Sequence, residues 1–231
     1  MTARRLVLTV DELAVLAGSL PAGTALPPAV RPGPPADPAA ARRRLEERGL
    51  IVEGRAHPAL HDDLLRLAAP EVAVLLEVAS PGADAVAAVV VRGGLGASLV
   101  RVGGAVELSA FAASAVASEL ARTVPPSTGA APAERVVPLQ ALVDPAAPAA
   151  AGLHGRVDGS LRAVVVAGGG RAAGVVDWVW LRAADGTGGW AALEPVAGGA
   201  EPEVRVVPVG PDDLGAAVAP SLALLLADGP A

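Results

Sequence analysis

The stretch Gly174–Pro195, GVVDWVWLRAADGTGGWAALEP, holds all three tryptophans of a chain that has one phenylalanine and no tyrosine. Large, rigid apolar side chains are therefore concentrated in this one segment. Its first part, Val175–Leu181, is β-branched and aromatic, and the Asp-Gly pair at Asp185 and Gly186 separates it from the apolar run around Trp190. This pattern predicts a β-hairpin.

Side chains alternate along the first strand of this hairpin. Trp178 and Trp180 are two residues apart and share one face, while Val175, Val179 and Leu181 take the other. Both faces therefore need burial, which is typical of a central strand. The alternative interpretation, a stacking platform for bases or sugars, is disfavoured because Val, Leu and Ala surround the rings and no basic residues interleave with them.

The composition excludes several classes of protein. The 231 residues suffice for one sizeable core or two small, closely joined ones, and the chain contains no cysteine. Disulfides, thiolate metal sites and cysteine nucleophiles are thereby excluded. No run reaches the ~18 to 20 apolar residues of a membrane span. Because Asp11 and Glu12 interrupt the apolar run at the N-terminus before a signal-peptide core develops, we expect a cytoplasmic protein without a membrane span.

The charge balance is acidic. The formal net charge is −6, and all 18 basic residues are arginines. Contacts to phosphates need a concentrated basic face, so this balance argues against nucleic acid as the main partner. The one dense basic run, Arg42–Arg44, is followed by Glu46 and Glu47 and is interpreted as a solvated helix face with i,i+4 pairing.

The N-terminal segment is predicted to be mainly helical. Thr9 and Glu12 have the spacing of a capping box, which starts a first helix. Asp37 as N-cap and Pro38 at the first helical position start a second. The predicted elements are a strand over 4–10 and helices extending to residue 17, over 38–48 and over 59–68.

Two units of four strands and a helix are predicted to follow. Glycine-rich turns separate the extended runs 72–79, 85–92, 98–102 and 105–108, and later the runs 161–167, 174–181, 189–193 and 203–207. Ser109 is expected to cap the first unit's helix, which continues to Arg122 with Phe111 on its buried side. The second unit's helix is expected over 211–226, with Pro220 kinking or dividing it.

These patterns predict an α+β fold, in which antiparallel β-sheet meanders are flanked by helices in two pseudo-symmetric halves. We expect a single domain over 1–231, made of an N-terminal half 1–123, a linker 124–134 rich in Pro, Ser, Gly and Ala, and a C-terminal half 135–231. A short helix is expected near 138–143.

No pattern predicts a catalytic, metal or cofactor site. His57 and His61, with Asp62 and Asp63 alongside, come nearest to a set of zinc ligands. His57, however, precedes the proline that opens a helix, where it need not project with His61. His154 has no serine or acid placed around it by local spacing that would indicate a triad.

A DNA-binding alternative concerns segment 37–67. The passage 45–51, LEERGLI, looks like the helix-to-wing passage of winged-helix proteins. The candidate recognition helix, 58–67, offers only Arg66 against Asp62 and Asp63, whereas such helices need several basic or amide side chains.

Several segments, taken in order, resemble the EspG family of actinobacterial proteins. They are Leu8–Leu13 (LTVDEL), Leu45–Gly49 (LEERG), Gly54–Pro58 (GRAHP), the strand Val72–Val78, the strand Glu203–Val207, and Pro211–Leu214 (PDDL) with the closing apolar helix. The likeness covers nearly the full chain and consists of pattern and order.

The resemblance implies a cytoplasmic, non-catalytic chaperone of type VII (ESX) secretion, with no cofactor. Proteins of this family bind the helical tip of a PPE protein within a PE–PPE pair, through a loop between early sheet strands and the C-terminal helical part. The matching positions in this chain are Ser80, Pro81, Gly82, Ala83 and Asp84 in the loop, and Leu222 and Leu225 in the helix.

The main hypothesis is therefore a chaperone for a helical substrate, either a PE–PPE-like pair or a helical hairpin of the WXG type. A winged-helix regulator is the alternative from another class, and an enzyme comes third. Whether the free chain forms a homodimer through an exposed sheet edge is left open.

Overall fold

The computed structural model describes residues 4–81, 83–128, 132–143, 157–168, 170–182, 186–197 and 201–227. The helices are α1 (Val10–Ala17), α2 (Pro38–Glu47), α3 (Pro58–Ala68), α4 (Val116–Thr123), α5 (Gln140–Val143) and α6 (Asp213–Ala227). The strands are β1 (Arg4–Thr9), β2 (Ile51–Val52), β3 (Arg55–Ala56), β4 (Val72–Ser80), β5 (Ala83–Arg92), β6 (Leu95–Val102), β7 (Ala105–Ala112), β8 (Arg135–Pro138), β9 (Val157–Ala167), β10 (Ala172–Arg182), β11 (Gly188–Val196) and β12 (Glu203–Val209).

Ten of the strands form one antiparallel sheet in the order β1-β7-β6-β5-β4-β9-β10-β11-β12-β8, and β2 pairs with β3 separately. The order is symmetric about the β4–β9 pair. On each side lies a four-strand meander, and its last strand, β7 or β12, pairs with a strand from earlier in the same half, β1 or β8. The predicted fold class is confirmed, while the boundary at 124–134 stays a prediction.

The sheet separates two large apolar cores. On one side, called the α6 face, Val74 and Leu76 of β4 share a core with Leu214 and Val218 of α6. On the other side, called the α1 face, α1 to α3 cover the N-terminal half of the sheet, and Leu13 and Leu64 are fully buried in that core. A smaller core lies at the far end of the α1 face, where α5 packs near β8 and β12.

The predicted helix starts in the N-terminal segment are confirmed. The Thr9 hydroxyl accepts from the Glu12 backbone N–H (3.2 Å), and the Glu12 carboxylate accepts from the Thr9 N–H (2.8 Å). The Glu12 residue is only 2% exposed, and its carboxylate also pairs with Arg44 of α2 and with Arg48, which directly follows α2. Arg48 further donates to the Val7 carbonyl of edge strand β1 (2.7 Å), so the residue that ends α2 satisfies part of that sheet edge.

The predicted helix from Ser109 to Arg122 is wrong in its first half. Residues 105–112 form β7, which pairs with β6 on one side and β1 on the other, and α4 begins only at Val116. The small residues of this segment have no strong preference for helix or strand. Pairing with β1 and β6 on its two sides therefore decides that it is a strand. The sequence analysis did not predict strand β8, which occupies Arg135–Pro138. The helix expected over 138–143 begins only after this strand, at Gln140.

The tryptophan hairpin is confirmed as β10 and β11, and β10 is a central strand between β9 and β11. Trp178, Trp180 and Trp190 are all buried in the core of the α6 face. The opposite face of β10 is only partly buried, because Leu181 is covered whereas Val175 is 48% exposed. Residue Asp185 of the predicted turn lies outside the described residues.

The last helix is continuous. Pro220 lies inside α6 without dividing it, contrary to one of the two expectations. No helix in the described ranges is long and apolar enough to cross a membrane.

Candidate partner-binding site

The loop predicted to bind a partner is a short hairpin turn. β4 ends at Ser80 and β5 begins at Ala83, so only two residues separate the strands. Pro81 and Asp84 are exposed, Ser80 is half-buried, and Gly82 lies outside the described residues. The turn itself therefore offers a small surface, and its binding role stays a prediction.

The two predicted residues of the last helix face the protein interior. Leu225 is 6% exposed in the core of the α6 face, and Leu222 packs against the same core. The leucines that α6 does expose are Leu224, at 55%, and Leu226, at 53%. Any contact made by this end of α6 would therefore use Leu224 and Leu226 first.

The turn and the C-terminal part of α6 do not meet. A Cβ on Gly174 of β10 would clash with the Ser221 hydroxyl, so α6 passes directly over Gly174. In register, Gly174 lies beside Val165, and Val165 beside Val74 of β4. Val74 is six residues before Ser80, a separation of about 20 Å along the strand. The sequence-predicted site residues thus form two separate groups.

A groove of about 820 Å³ lies beside the turn, on the α1 face of the sheet. Its floor is formed by parts of β4, β5, β6, β9 and β10, and Val10 at the start of α1 borders it. Asp84 is the one residue of the predicted loop that lines it. We call this surface the end groove.

Charged side chains cross the floor of the end groove in one row. The strand register places Arg101, Val86, Glu77, Arg162 and Asp177 side by side on five neighbouring strands. Arg162 and Asp177 form an ion pair (3.8 Å), and both side chains are more than half exposed. Within the described part of the chain, the side chains of Glu77 and Arg101 make no hydrogen bond or ion pair.

The row next to these charges mixes apolar and polar positions. Towards the turn, it contains Asp84 on β5, Ala79 on β4, Ser160 on β9 and Val179 on β10. Ala79 and Ser160 are exposed, and Val86 and Val179 are half-buried. The end groove therefore combines a concave shape, partly accessible apolar side chains and two charges of opposite sign without an ion-pair partner among the described residues.

The strongest buried polar cluster has a structural role. Glu119 of α4 accepts from Ser98 of β6 (2.5 Å) and from Arg122 (2.6 Å), and Arg122 also pairs with Glu107 of β7 (2.7 Å). Burial alone would raise the pKa of Glu119, but the bonds from Arg122 and Ser98 and the Arg122 charge hold that pKa below its ordinary value. These contacts fasten α4 to β6 and β7.

Nothing in the described ranges groups three or more potential metal ligands. His57 is exposed and His61 is half-buried, while His154 lies outside the described residues. The single basic residue of α3, Arg66, is paired with Asp63 (2.9 Å). Segment 37–67 therefore lends no support to the DNA-binding alternative.

The fold and the groove define an α+β protein with two meanders joined into one sheet and a polar groove on one face. A family model described as the EspG family matches residues 9–219, and the chain belongs to this family. No curated protein sequence matches the chain.

A solved structure has a similar fold. It is described as the Mycobacterium tuberculosis type VII secretion system chaperone EspG5 in complex with the PE25–PPE41 dimer. The TM-score is 0.59 and the sequences are 17% identical, with 95% of this chain and 96% of the matched chain covered.

The charges of the end groove were not singled out in the sequence, although a local signal exists. Glu77 is the one charged residue of β4, VAVLLEVAS, and Asp177 interrupts the apolar run GVVDWVWL of β10. A charge inside an apolar strand indicates a face that is open to solvent or to a partner. Which strands bring such charges together depends on the register, which the sequence does not show.

Proposed function

We propose that this protein is a non-catalytic chaperone of type VII (ESX) secretion, which binds the end of a helical substrate in the end groove and keeps that substrate soluble. The preferred substrate is a PE–PPE-like pair, with a WXG-type helical hairpin as the alternative. Membership of the EspG family and the fold shared with EspG5 support the class of function. The proposed place of action is the cytoplasm.

The observation that carries the proposed binding site is the end groove beside the Ser80–Asp84 turn. Five strands span about 19 Å at the usual strand spacing. Because the axes of two packed helices lie about 8–10 Å apart, both axes fit within this width. The half-buried Val86 and Val179 offer apolar contact, and Pro81 and Asp84 at the rim extend the surface.

Co-purification tests the proposal. The tagged full chain is expressed alone and with the helical secretion-substrate genes encoded beside it, and size-exclusion chromatography with light scattering measures complex formation. We expect one chain to elute with one substrate pair. Elution of every candidate apart from the folded chain would refute the proposed function, and binding to DNA resin would be measured next.

A matched pair of variants tests whether the substrate binds in the end groove. Ala79→Arg places a long side chain on the exposed floor of the end groove, and we expect it to abolish co-elution. Ala172→Arg makes the same change at an exposed position at the start of β10, outside the groove lining, and we expect it to leave the complex intact. If both variants retain the substrate, the binding surface lies elsewhere.

A further inference from the structure

We propose that Arg101 and Glu77 recognise the two opposite helix ends at the tip of a helical hairpin and so determine in which orientation the end groove accepts its substrate. This inference rests on the proposed function and names the residues that set the orientation in the same groove.

The first observation is that both charges are unpaired and lie on the groove floor. Arg101 on β6 and Glu77 on β4 flank Val86 of β5 in the same register row. Both residues line the groove, and neither side chain has a hydrogen-bond or ion-pair partner in the ranges that the structure describes. Arg162 is the cross-strand neighbour of Glu77, but it forms its ion pair with Asp177 on its other side.

The second observation is the spacing. Arg101 and Glu77 are two strands apart, which corresponds to about 10 Å. The axes of two packed helices are about 8–10 Å apart. At the tip of an antiparallel hairpin, the first helix ends with free carbonyls and partial negative charge, and the second begins with free N–H groups and partial positive charge. A positive and a negative side chain at this spacing match both ends at once.

The remaining residues fit this arrangement. The Arg101 guanidinium can donate to the last carbonyls of the incoming helix, and the Glu77 carboxylate can accept from the first N–H groups of the next helix. Val86 lies between the two and provides an apolar floor under the connecting loop. Asp84, on the same strand as Val86, adds a second negative charge to the lining.

The same pair rejects the opposite orientation. A hairpin tip turned by half a rotation would present its carbonyl end to Glu77 and its N–H end to Arg101, with repulsion at both positions. Specificity commonly depends on such unfavourable contacts in the wrong complex as well as on favourable ones in the right complex.

Charge reversal tests the inference. The dissociation constant of the co-purifying substrate pair is measured by calorimetry, at low and at high salt, for the unmodified chain, for Arg101→Glu and for Glu77→Arg. We expect each reversal to weaken binding about tenfold at low salt and to reduce the dependence on salt. Circular dichroism establishes that each variant is folded.

The matched control is Arg205→Glu, because Arg205 is a half-exposed strand arginine outside the groove lining. It should bind like the unmodified chain. If both groove reversals keep the affinity within about twofold while Ala79→Arg abolishes it, the substrate occupies the groove without recognition by these charges, and the inference fails although the proposed function stands. If the unmodified chain binds no substrate, both fail.

Discussion

The indole rings of Trp180 and Trp190 meet edge to face across the β10–β11 pair, with ring centroids 5.0 Å apart and ring planes at 84°. The two residues are direct partners in the strand register. Trp190 is fully buried, and its Nε1–H donates to the carbonyl of Pro125 (2.8 Å). This contact attaches the segment that follows α4 to the second meander.

Replacing Trp190 with alanine removes this ring pair and the bond to Pro125. We expect the free energy of unfolding to fall by about 3–5 kcal/mol, the range for truncating a large aromatic side chain in a packed core. Urea unfolding followed by circular dichroism measures it. Val52→Ala, at a valine that is 52% exposed, is the control and should change stability by less than about 0.5 kcal/mol.

Acidification should weaken the Glu119 cluster. In the folded protein the pKa of the Glu119 carboxyl lies below its ordinary value of 4.5. The ionised carboxylate therefore stabilises the fold fully above pH 4.5, and this stabilisation is lost as the pH falls through the folded pKa. Glu119→Gln should therefore destabilise the protein by about 1–3 kcal/mol at neutral pH. This difference should shrink as the pH falls below 4.5.

The measurement is a series of urea unfolding curves for both proteins from neutral to acidic pH. Glu46→Gln, at an exposed position on α2, serves as the control and should follow the unmodified chain at every pH. A difference between Glu119→Gln and the unmodified chain that stays constant down to low pH would contradict the role assigned to the ionised carboxylate.

The α4–α6 contact depends on a glycine. A Cβ on Gly215 would lie 2.7 Å from the Cβ of Ala117, closer than the two helices allow. Alanine would gain up to about 1 kcal/mol in helix propensity, but the crowding costs about 1–3 kcal/mol, so we expect Gly215→Ala to destabilise the protein.

A double-mutant cycle checks this interpretation. Ala117→Gly removes the opposing methyl group, so the double variant should be more stable than the sum of the two single changes predicts. Additive effects, measured by thermal unfolding, would show that crowding at this contact is not the cause.

Truncating two neighbouring leucines of α6 should affect stability to very different extents. Leu225→Ala creates a cavity in the core of the α6 face and should lower the free energy of unfolding by about 2–5 kcal/mol. Leu224 is 55% exposed, and Leu224→Ala should change the free energy of unfolding by less than about 0.5 kcal/mol. Chemical denaturation of both variants makes the comparison, and equal losses would contradict the orientation of the helix.

Local patterns predicted the elements that depend on near neighbours. The Thr9–Glu12 capping box, the Asp37 cap and the hairpin turn at Gly93 and Gly94 are visible in the sequence because each is closed by residues a few positions apart. The Ser109 region was predicted wrongly, since pairing with β1, about a hundred residues earlier in the chain, decides its conformation.

The sequence by itself determined the fold class, the repeated meander and the burial of the tryptophans, because alternation and glycine-rich turns are local signals. Only the tertiary structure decided which residues lie together in the candidate binding site. Arg101, Glu77, Arg162 and Asp177 become neighbours through the pairing of β6, β5, β4, β9 and β10. Shifting any one of these strands by one residue would turn its side chains to the other face, and no local pattern specifies which strands pair across the centre of the sheet.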